Sequence, residues 1–570
     1  MAASTGPAVR PVPPCRPRAR ARVRRAGRAL LPASAPLPAA LPAALPAALR
    51  AALLAALLAA PGCHGGRPGP VTRLGEDSPA DRLLEQLTAA CDPLPGPAAP
   101  AATLVFALTH GVDPDHAPVP DNVAERVVFR NLYETLLEVD CDGRLQPGLA
   151  ETWERRDGGA AWVFRLRSGA VFWDGTPVTA QAVVDCWTTV RKLSAGADPS
   201  PWSWLTVPSR SVVAVDDRHL LLQLPESSDD LPFLLAHPAL AVADRRAGWT
   251  WPVGSGPCRL RADTPAPLPD LVCRPNLHHP SAPRWERLTF RVLPGADPRD
   301  LPARGADLVL VSDRRSREYL EALAGFVVAP LPWERLLLLV QSARTASPGI
   351  AWSSPLDRQA LARDATLADA MAWDEPYLAP VPGGECPQLS GPVRHGLTQL
   401  LDPDASVEQL EEGLLVYPDG DDEAAEIAQR LAVLQRRGRA RGLGSEQFAL
   451  SLRERMAAGY VLPVTRVFPT ACLQLSALLG RAAWLQQAVV DARALPGTRR
   501  ETAQNQERLP EVRPGLETVV RRLLDDGLVT PLLVVRRHVA ARADVAGLQV
   551  AWDGTPLVSG LGRRPPEELP

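Results

Sequence analysis

The sequence predicts an α/β protein, and three stretches carry that expectation. "TLVFAL" (103–108) is an unbroken apolar run of strand length. "ERVVFRNLYETLLEVD" sets Val127, Val128, Leu132 and Leu136 on one face at helical spacing. "WVFRLR" followed by "FWDGTPVTAQAVVDCW" reads as an alternating strand, a tight turn and a capped helix.

The chain opens differently. Arg16, Arg18, Arg20, Arg22, Arg24, Arg25 and Arg28 form a basic, acid-free segment, and an apolar run over 51–60 follows. That run is too short to span a bilayer. A positive segment, a short apolar core and small residues before a cysteine make a secretory signal. Ala60, Pro61, Gly62 and Cys63 resemble a bacterial lipobox, with alanine where leucine is usual three positions before the cysteine. The expectation is an exported chain lipid-anchored to the membrane at Cys63, with a leader over 1–62. Residues 63–102, rich in Pro, Gly and Ala, read as a tether.

In the body, Trp162, Phe164 and Leu166 alternate with Val163, Arg165 and Arg167, which predicts a half-buried strand. Asp174-Gly175 supplies a turn, Pro177 restricts its predecessor to extended geometry, and Thr179 is placed to cap a helix. Val183, Val184, Trp187 and Val190 form that helix's apolar stripe. "SVVAVDDRHLLLQL" reads as strand, turn, strand.

Composition bounds the function. The 570 residues carry a net charge of −2, which gives no reason to expect nucleic acid as a partner, and the length corresponds to about three or four domain-sized units. None of the nine cysteines forms a CxxC or takes zinc spacing with histidine. Cys258 and Cys273 flank a predicted hairpin, which makes a disulfide one candidate pairing. Gly254-Ser255-Gly256 is not a nucleophile elbow, and no HExxH, phosphate loop or dinucleotide fingerprint occurs. No enzyme, cofactor or metal site is expected.

The stretch "NLYETLLEVDCDGRLQPGLAETWE", followed by "WVFRLRSGAVFWDGTPVTAQAVVDCW", resembles the signature of the family 5 extracellular solute-binding proteins, the oligopeptide, dipeptide and nickel receptors of ABC importers. Gly148, Leu149, Ala150, Glu151, Trp153, Asp174, Gly175, Thr176, Pro177, Thr179 and Ala180 fit the pattern, nearest the oligopeptide branch. "PVGSGPCRL", "NLHHPSAPRWERLTFRVLPGADP", "ADLVLV", "LDRQALARD" and the closing "GLVTPLLVVRRHVAARADVAGLQVAWDGTP" match further segments in order. The resemblance implies a two-lobed periplasmic-binding-protein-like fold (type II, cluster C) with hinge strands and an accessory subdomain. Lobe one would take 103–331, lobe two 332–528, and 529–570 would return to lobe one.

By resemblance the function is capture of a peptide or similar small solute between the lobes of a monomer, for delivery to a permease and ATPase. Ligand-facing candidates are Trp202, Trp204, Ser255, and His116 and Val119 of one loop, with Trp333, Arg335 and Arg536 near the crossings. The family's lobe-two segment "GW-x-AD-x-x-DP" holds an aspartate that pairs with a peptide amino group. Here the stretch reads "AAGYVLPVTRVFPTACLQL", with Thr470 or a neighbour at that position. With Arg335, Arg536 and Arg537 nearby, the expected ligand is neutral or anionic, or a peptide held without its amino end. Glu334 is expected in a surface ion pair. The alternatives are a diverged receptor or scaffold that does not transport, and an envelope hydrolase whose nucleophile and base meet only on folding.

Overall fold

The computed structural model describes residues 91–193, 212–224, 227–261, 264, 270–281, 283–341, 356–378, 411–435, 438–485 and 516–565. Cys63, Trp202 and Trp204 lie outside the described residues.

Two large sheets organise the molecule. The first is seven-stranded and is built around β1 (Ala101–Leu108), which pairs in parallel with β10 (Trp285–Val292) and β11 (Leu308–Val311). Leu104, Phe106 and Leu108 are buried, as expected for a central apolar strand. β10 continues to β9 (Asp270–Pro275) and β8 (Cys258–Arg259), and β11 to β19 (His538–Arg542) and then β12 (Phe326–Pro330). The second sheet runs β14 (Asp369–Ala372), β18 (Val529–Arg536), β13 (Arg335–Gln341), β17 (Ala457–Thr465), β15 (Glu411–Pro418), β16 (Arg439–Leu443). Each sheet has its own apolar core, so the chain is two lobes.

An accessory sheet of β4 (Ala150–Arg156), β5 (Ala161–Leu166), β7 (His219–Gln223) and β6 (Val212–Ala214) extends the first lobe. Trp162, Phe164 and Leu166 are buried and Arg165 is exposed, the alternation read from the sequence. The Asp-Gly turn closes a small hairpin in which Val171 bridges Pro177, with Gly175 at φ +87. Thr179 Oγ1 accepts from Ala182 N at 3.1 Å and caps the helix Ala180–Leu193. Val183, Trp187 and Val190 are buried, and Trp187 Nε1 donates to Leu240 O at 2.9 Å.

Two expectations are revised. The helix Val123–Leu132 stops before Leu136, because the carbonyls of Thr135 and Leu136 accept from Leu149 and Ala150 and draw that stretch into extended pairing. The return to lobe one comes later than 529, since β18 belongs to the second sheet and the chain crosses back at Arg537. Cys258 and Cys273 form the hairpin disulfide, and a second bridge, Cys91–Cys141, fastens the end of the tether segment to the turn after β2 (Leu137–Val139). Sequence separation of 50 gave that second pairing no local signal.

Gly175 has open space around its α-carbon, so Gly175→Ala incurs only the backbone penalty of a positive φ. A loss of about 1 kcal/mol in urea unfolding is expected, with the spectroscopic signature of the fold unchanged.

Candidate functional site

Among the described residues the chain passes between lobes at two places that lie side by side. Leu331–Glu334 links β12 to β13, and Arg537 links β18 to β19. Leu331 N donates to Arg537 O at 2.9 Å, and Arg466 N donates to Glu334 O at 2.7 Å. The crossings are therefore one hydrogen-bonded double hinge.

Charged side chains fill the space beside it. Arg537 Nη1 meets Glu334 Oε1 at 2.6 Å and its Nη2 meets Glu423 Oε1 at 2.9 Å. Arg335 Nη1 meets Glu423 Oε2 at 2.5 Å, and its other nitrogen pairs with Asp421. Asp421 caps the helix Asp422–Leu434, accepting from Ala424 N, and Glu423 lies in that helix's first turn, where an anion suits the dipole. Glu334, Arg335, Glu423 and Arg537 are all buried. Burial drives the Glu334 carboxyl upward against the pull of Arg537 and Arg126, while Arg335 is raised, Asp421 and Glu423 overcoming its own desolvation. From lobe one, Arg126 donates to Thr465 Oγ1 at 3.2 Å. Arg126, Leu331, Glu334, Arg537, Gly554 and Thr555 line a narrow crevice here that leaves no room for a water molecule.

The lobes also meet at the lobe-two segment after β17. Arg466 donates from Nε and Nη2 to Trp552 O at 3.0 and 2.5 Å, its guanidinium 3.8 Å from the Trp552 ring centroid. Burial lowers the Arg466 pKa to about 9. Phe468 and Leu473 join the buried apolar core of lobe one, with the Phe468 ring 5.2 Å from His237.

The predicted site residues fall as follows. Arg335 and Arg537 are committed to carboxylates of the chain itself, and Arg536 pairs with Asp369 at 2.6 Å over the Trp333 ring. These arginines therefore do not stand free for an anionic ligand, and Trp333 packs as buried wall. Glu334 is in a buried ion pair, not a surface one, because the second crossing brings Arg537 beside it. Ser255 is buried, and the glycines around it serve close approach to the end of the helix Val123–Leu132. A Cβ on Gly254 would lie 2.1 Å from Leu132 O, and Gly256 N donates to Leu132 O at 3.0 Å. His116 Nδ1 hydrogen-bonds Glu125 Oε1 at 2.8 Å, and Glu125 also accepts from Asp113 N and Asp121 N. Val119 N donates to His116 O at 2.8 Å. This loop reaches lobe two, since Ser445 hydrogen-bonds Asp121. Thr470 caps the helix Ala471–Arg481, its hydroxyl accepting from Leu473 N at 3.3 Å. The residues that the sequence did not single out are Arg126, Asp421, Glu423, Arg466, Phe468, Asp553 and Thr555.

Residues 144–324 match the family model described as bacterial extracellular solute-binding proteins, family 5 Middle. The matched segment belongs to that family. The periplasmic oligopeptide-binding protein OppA of Escherichia coli is 33% identical over 152 residues, which is 23% of this chain and 28% of that protein. The probable D,D-dipeptide-binding periplasmic protein DdpA of Escherichia coli is 26% identical over 309 residues, half of this chain and 55% of that protein. The sequence matches thus span less than two thirds of these relatives' lengths. Among solved structures, the Escherichia coli murein tripeptide binding protein MppA superposes with a TM-score of 0.57 at 16% identity, over 82% of this chain and 99% of that one. Listeria monocytogenes OppA bound to peptide gives 0.58 at 13% identity, over 81% and 99%. The two-lobed fold is the fold of these solved structures. The signature residues 148–180 fall within the matched segment.

Burial pushes the His237 imidazole down to about 3, against the pull of the Asp553 carboxylate. Unfolded histidine protonates near 6.5, so between those values the unfolded chain binds the extra proton, and stability is lost as pH falls through that window. Between about pH 7 and about pH 4.5 this group accounts for about 2 kcal/mol of loss. His237→Asn, which keeps an acceptor for Ala239 N, is expected to narrow the difference in urea midpoint between those two pH values.

Proposed function

We propose that this chain is the exported solute receptor of a peptide-type ABC importer, a binding protein and not an enzyme, which captures a peptide or similar small solute between its lobes. The observation that carries the reading is the double hinge beside a polar seam between two lobes, in a chain with a family 5 middle segment. Hinge closure around a solute is the motion such a construction permits. Delivery to a permease and ATPase, and action as a monomer, follow from the same reading. Trp202, Trp204 and the His116–Val119 loop are proposed as cleft residues. The solute test is native mass spectrometry of freshly purified protein. A bound small molecule released on unfolding and reloaded on refolding is expected, and protein that never carries one sinks the reading.

A diverged receptor that does not transport is the second reading. It is favoured by the internal pairing of Arg335, Arg536 and Arg537 and by Phe468 packing into lobe one. Deletion of the gene discriminates: loss of uptake of the co-purified solute supports transport, and intact uptake supports the second reading.

Export is supported by the basic leader and by the bridges Cys91–Cys141 and Cys258–Cys273, which persist in oxidising compartments. No helix among the described residues is long and apolar enough to cross a membrane. We propose that residues 1–62 are a removed leader, that Cys63 is lipidated and that the segment after it tethers the lobes. Cys63→Ser is expected to shift the protein from the membrane pellet to the soluble fraction, and unchanged partitioning rejects the anchor.

A further inference from the structure

The chain writes Trp-Asp-Gly-Thr-Pro twice, at 173–177 and at 552–556. Both copies fold into the same hairpin turn. In the first, Val171 bridges Pro177, Gly175 N donates to Phe172 O at 2.8 Å and Thr176 N to Asp174 Oδ1 at 3.1 Å. In the second, Val550 pairs with Pro556, Gly554 N donates to Ala551 O at 3.0 Å and Thr555 N to Asp553 Oδ1 at 3.1 Å. The glycines take φ +87 and +74.

The copies differ in what meets the outer atoms of the turn. In the first, Arg246 pairs through one terminal nitrogen with Asp174 Oδ2 and donates through the other to Thr176 Oγ1 at 2.6 Å. In the second, the corresponding Asp553 Oδ2 and Thr555 Oγ1 are buried and find no hydrogen-bond partner among the described residues. Asp553 is 4% exposed and Thr555 1%. A buried carboxylate oxygen with no donor is costly to keep in that state. This turn, unlike its twin, lies at the seam between lobes, where Thr555 lines the crevice and Arg466 holds the Trp552 carbonyl.

We propose that Asp553 and Thr555 form the receptor for a cationic nitrogen of the bound solute, an ammonium or guanidinium that meets both oxygens as Arg246 does in the twin turn. The inference rests on the solute-binding reading and names the chemistry of its ligand. The charges that face Asp553 from neighbouring elements are Arg126 and Arg466, with His237 held neutral by burial. They balance the carboxylate at a distance, and neither arginine donates to Oδ2. With Glu334 Oε2 packed against Gly554 the surroundings of the turn are close to neutral, and a zwitterion is the solute that adds no net charge to them. Arg466 Nη1, also without a partner among the described residues, is a donor suited to its acidic end. Recognition of a basic nitrogen therefore moves from the lobe-two segment, where the family resemblance placed it, to a turn of lobe one.

The test is thermal unfolding of the whole mature protein with the twenty free amino acids and trialanine, each beside its N-acetylated form. At least one free amine is expected to raise the melting temperature by several degrees at saturation, and its acetylated form to leave it unmoved. Asp553→Asn keeps the Oδ1 acceptor for Thr555 N. It is expected to leave the unliganded melting temperature equal or higher and to abolish the shift. Asp174→Asn, which loses the Arg246 pairing, is expected to lower the unliganded melting temperature and keep the ligand shift. The proposal is overturned if Asp553→Asn destabilises the unliganded protein as Asp174→Asn does, or if its ligand shift equals wild type. Stabilisation only by acetylated solutes that keep no cationic nitrogen, which sets Nα-acetyl-lysine and Nα-acetyl-arginine aside, overturns it while leaving the receptor reading intact. No stabilisation by any probe overturns it too, and then the co-purified solute alone decides whether the chain is a receptor.

Discussion

The buried contact between Glu334 and Arg537 is the constraint on which the arrangement of the two lobes depends. Each residue belongs to one of the two crossings, so their 2.6 Å pairing joins the segments that any lobe motion must bend. The pair is not isolated. Glu423 receives Arg537 and Arg335 together, which ties the hinge to the first turn of a lobe-two helix. Removing one partner would strand a charge away from water, and such a loss is usually far larger than the worth of the intact pair. Within the seam, Glu334, Asp421, Glu423 and Asp553 face Arg126, Arg335, Arg466 and Arg537, four acids against four bases. A balanced seam of this kind can be closed with little uncompensated charge.

Local features of the fold were legible in the sequence, because their causes lie within a few residues. The alternation of Trp162, Phe164 and Leu166, the Asp174-Gly175 turn and the Thr179 cap each follow from spacing and residue type. The seam was not legible in the same way. Glu334 and Arg537 are 203 positions apart, and nothing near either one announces the other. Arg335 and Arg536 therefore read as free cations when each has a distant carboxylate. Cys91 and Cys141 escaped for a similar reason, while Cys258 and Cys273, close in sequence, flank a hairpin that the sequence itself signals.

The two Trp-Asp-Gly-Thr-Pro turns separate conformation from use. Five identical residues give the same backbone-amide hydrogen bonds and the same positive-φ glycine in both places, while only the first threonine hydroxyl donates to its aspartate. What surrounds them is opposite. Gly175 faces open space, whereas a Cβ on Gly554 would come within 2.6 Å of Glu334 Oε2. A motif read from sequence thus specifies a shape, and its role is decided by what the tertiary fold brings against it. The first copy lies within the matched family segment and the second outside it, so resemblance alone would not single out the turn at the seam.

The strand order of the first sheet has a consequence for how the molecule is made. β19, residues His538–Arg542, lies between β11 and β12, both of which leave the ribosome more than two hundred residues earlier. Until that late strand arrives, β11 and β12 present unpaired edges and the sheet has a gap in it. The whole second lobe is synthesised within that interval. The first lobe therefore cannot reach its final form during most of translation. Inserting a late strand between two neighbours made long before it makes completion of the first lobe's sheet a late, long-range step of folding.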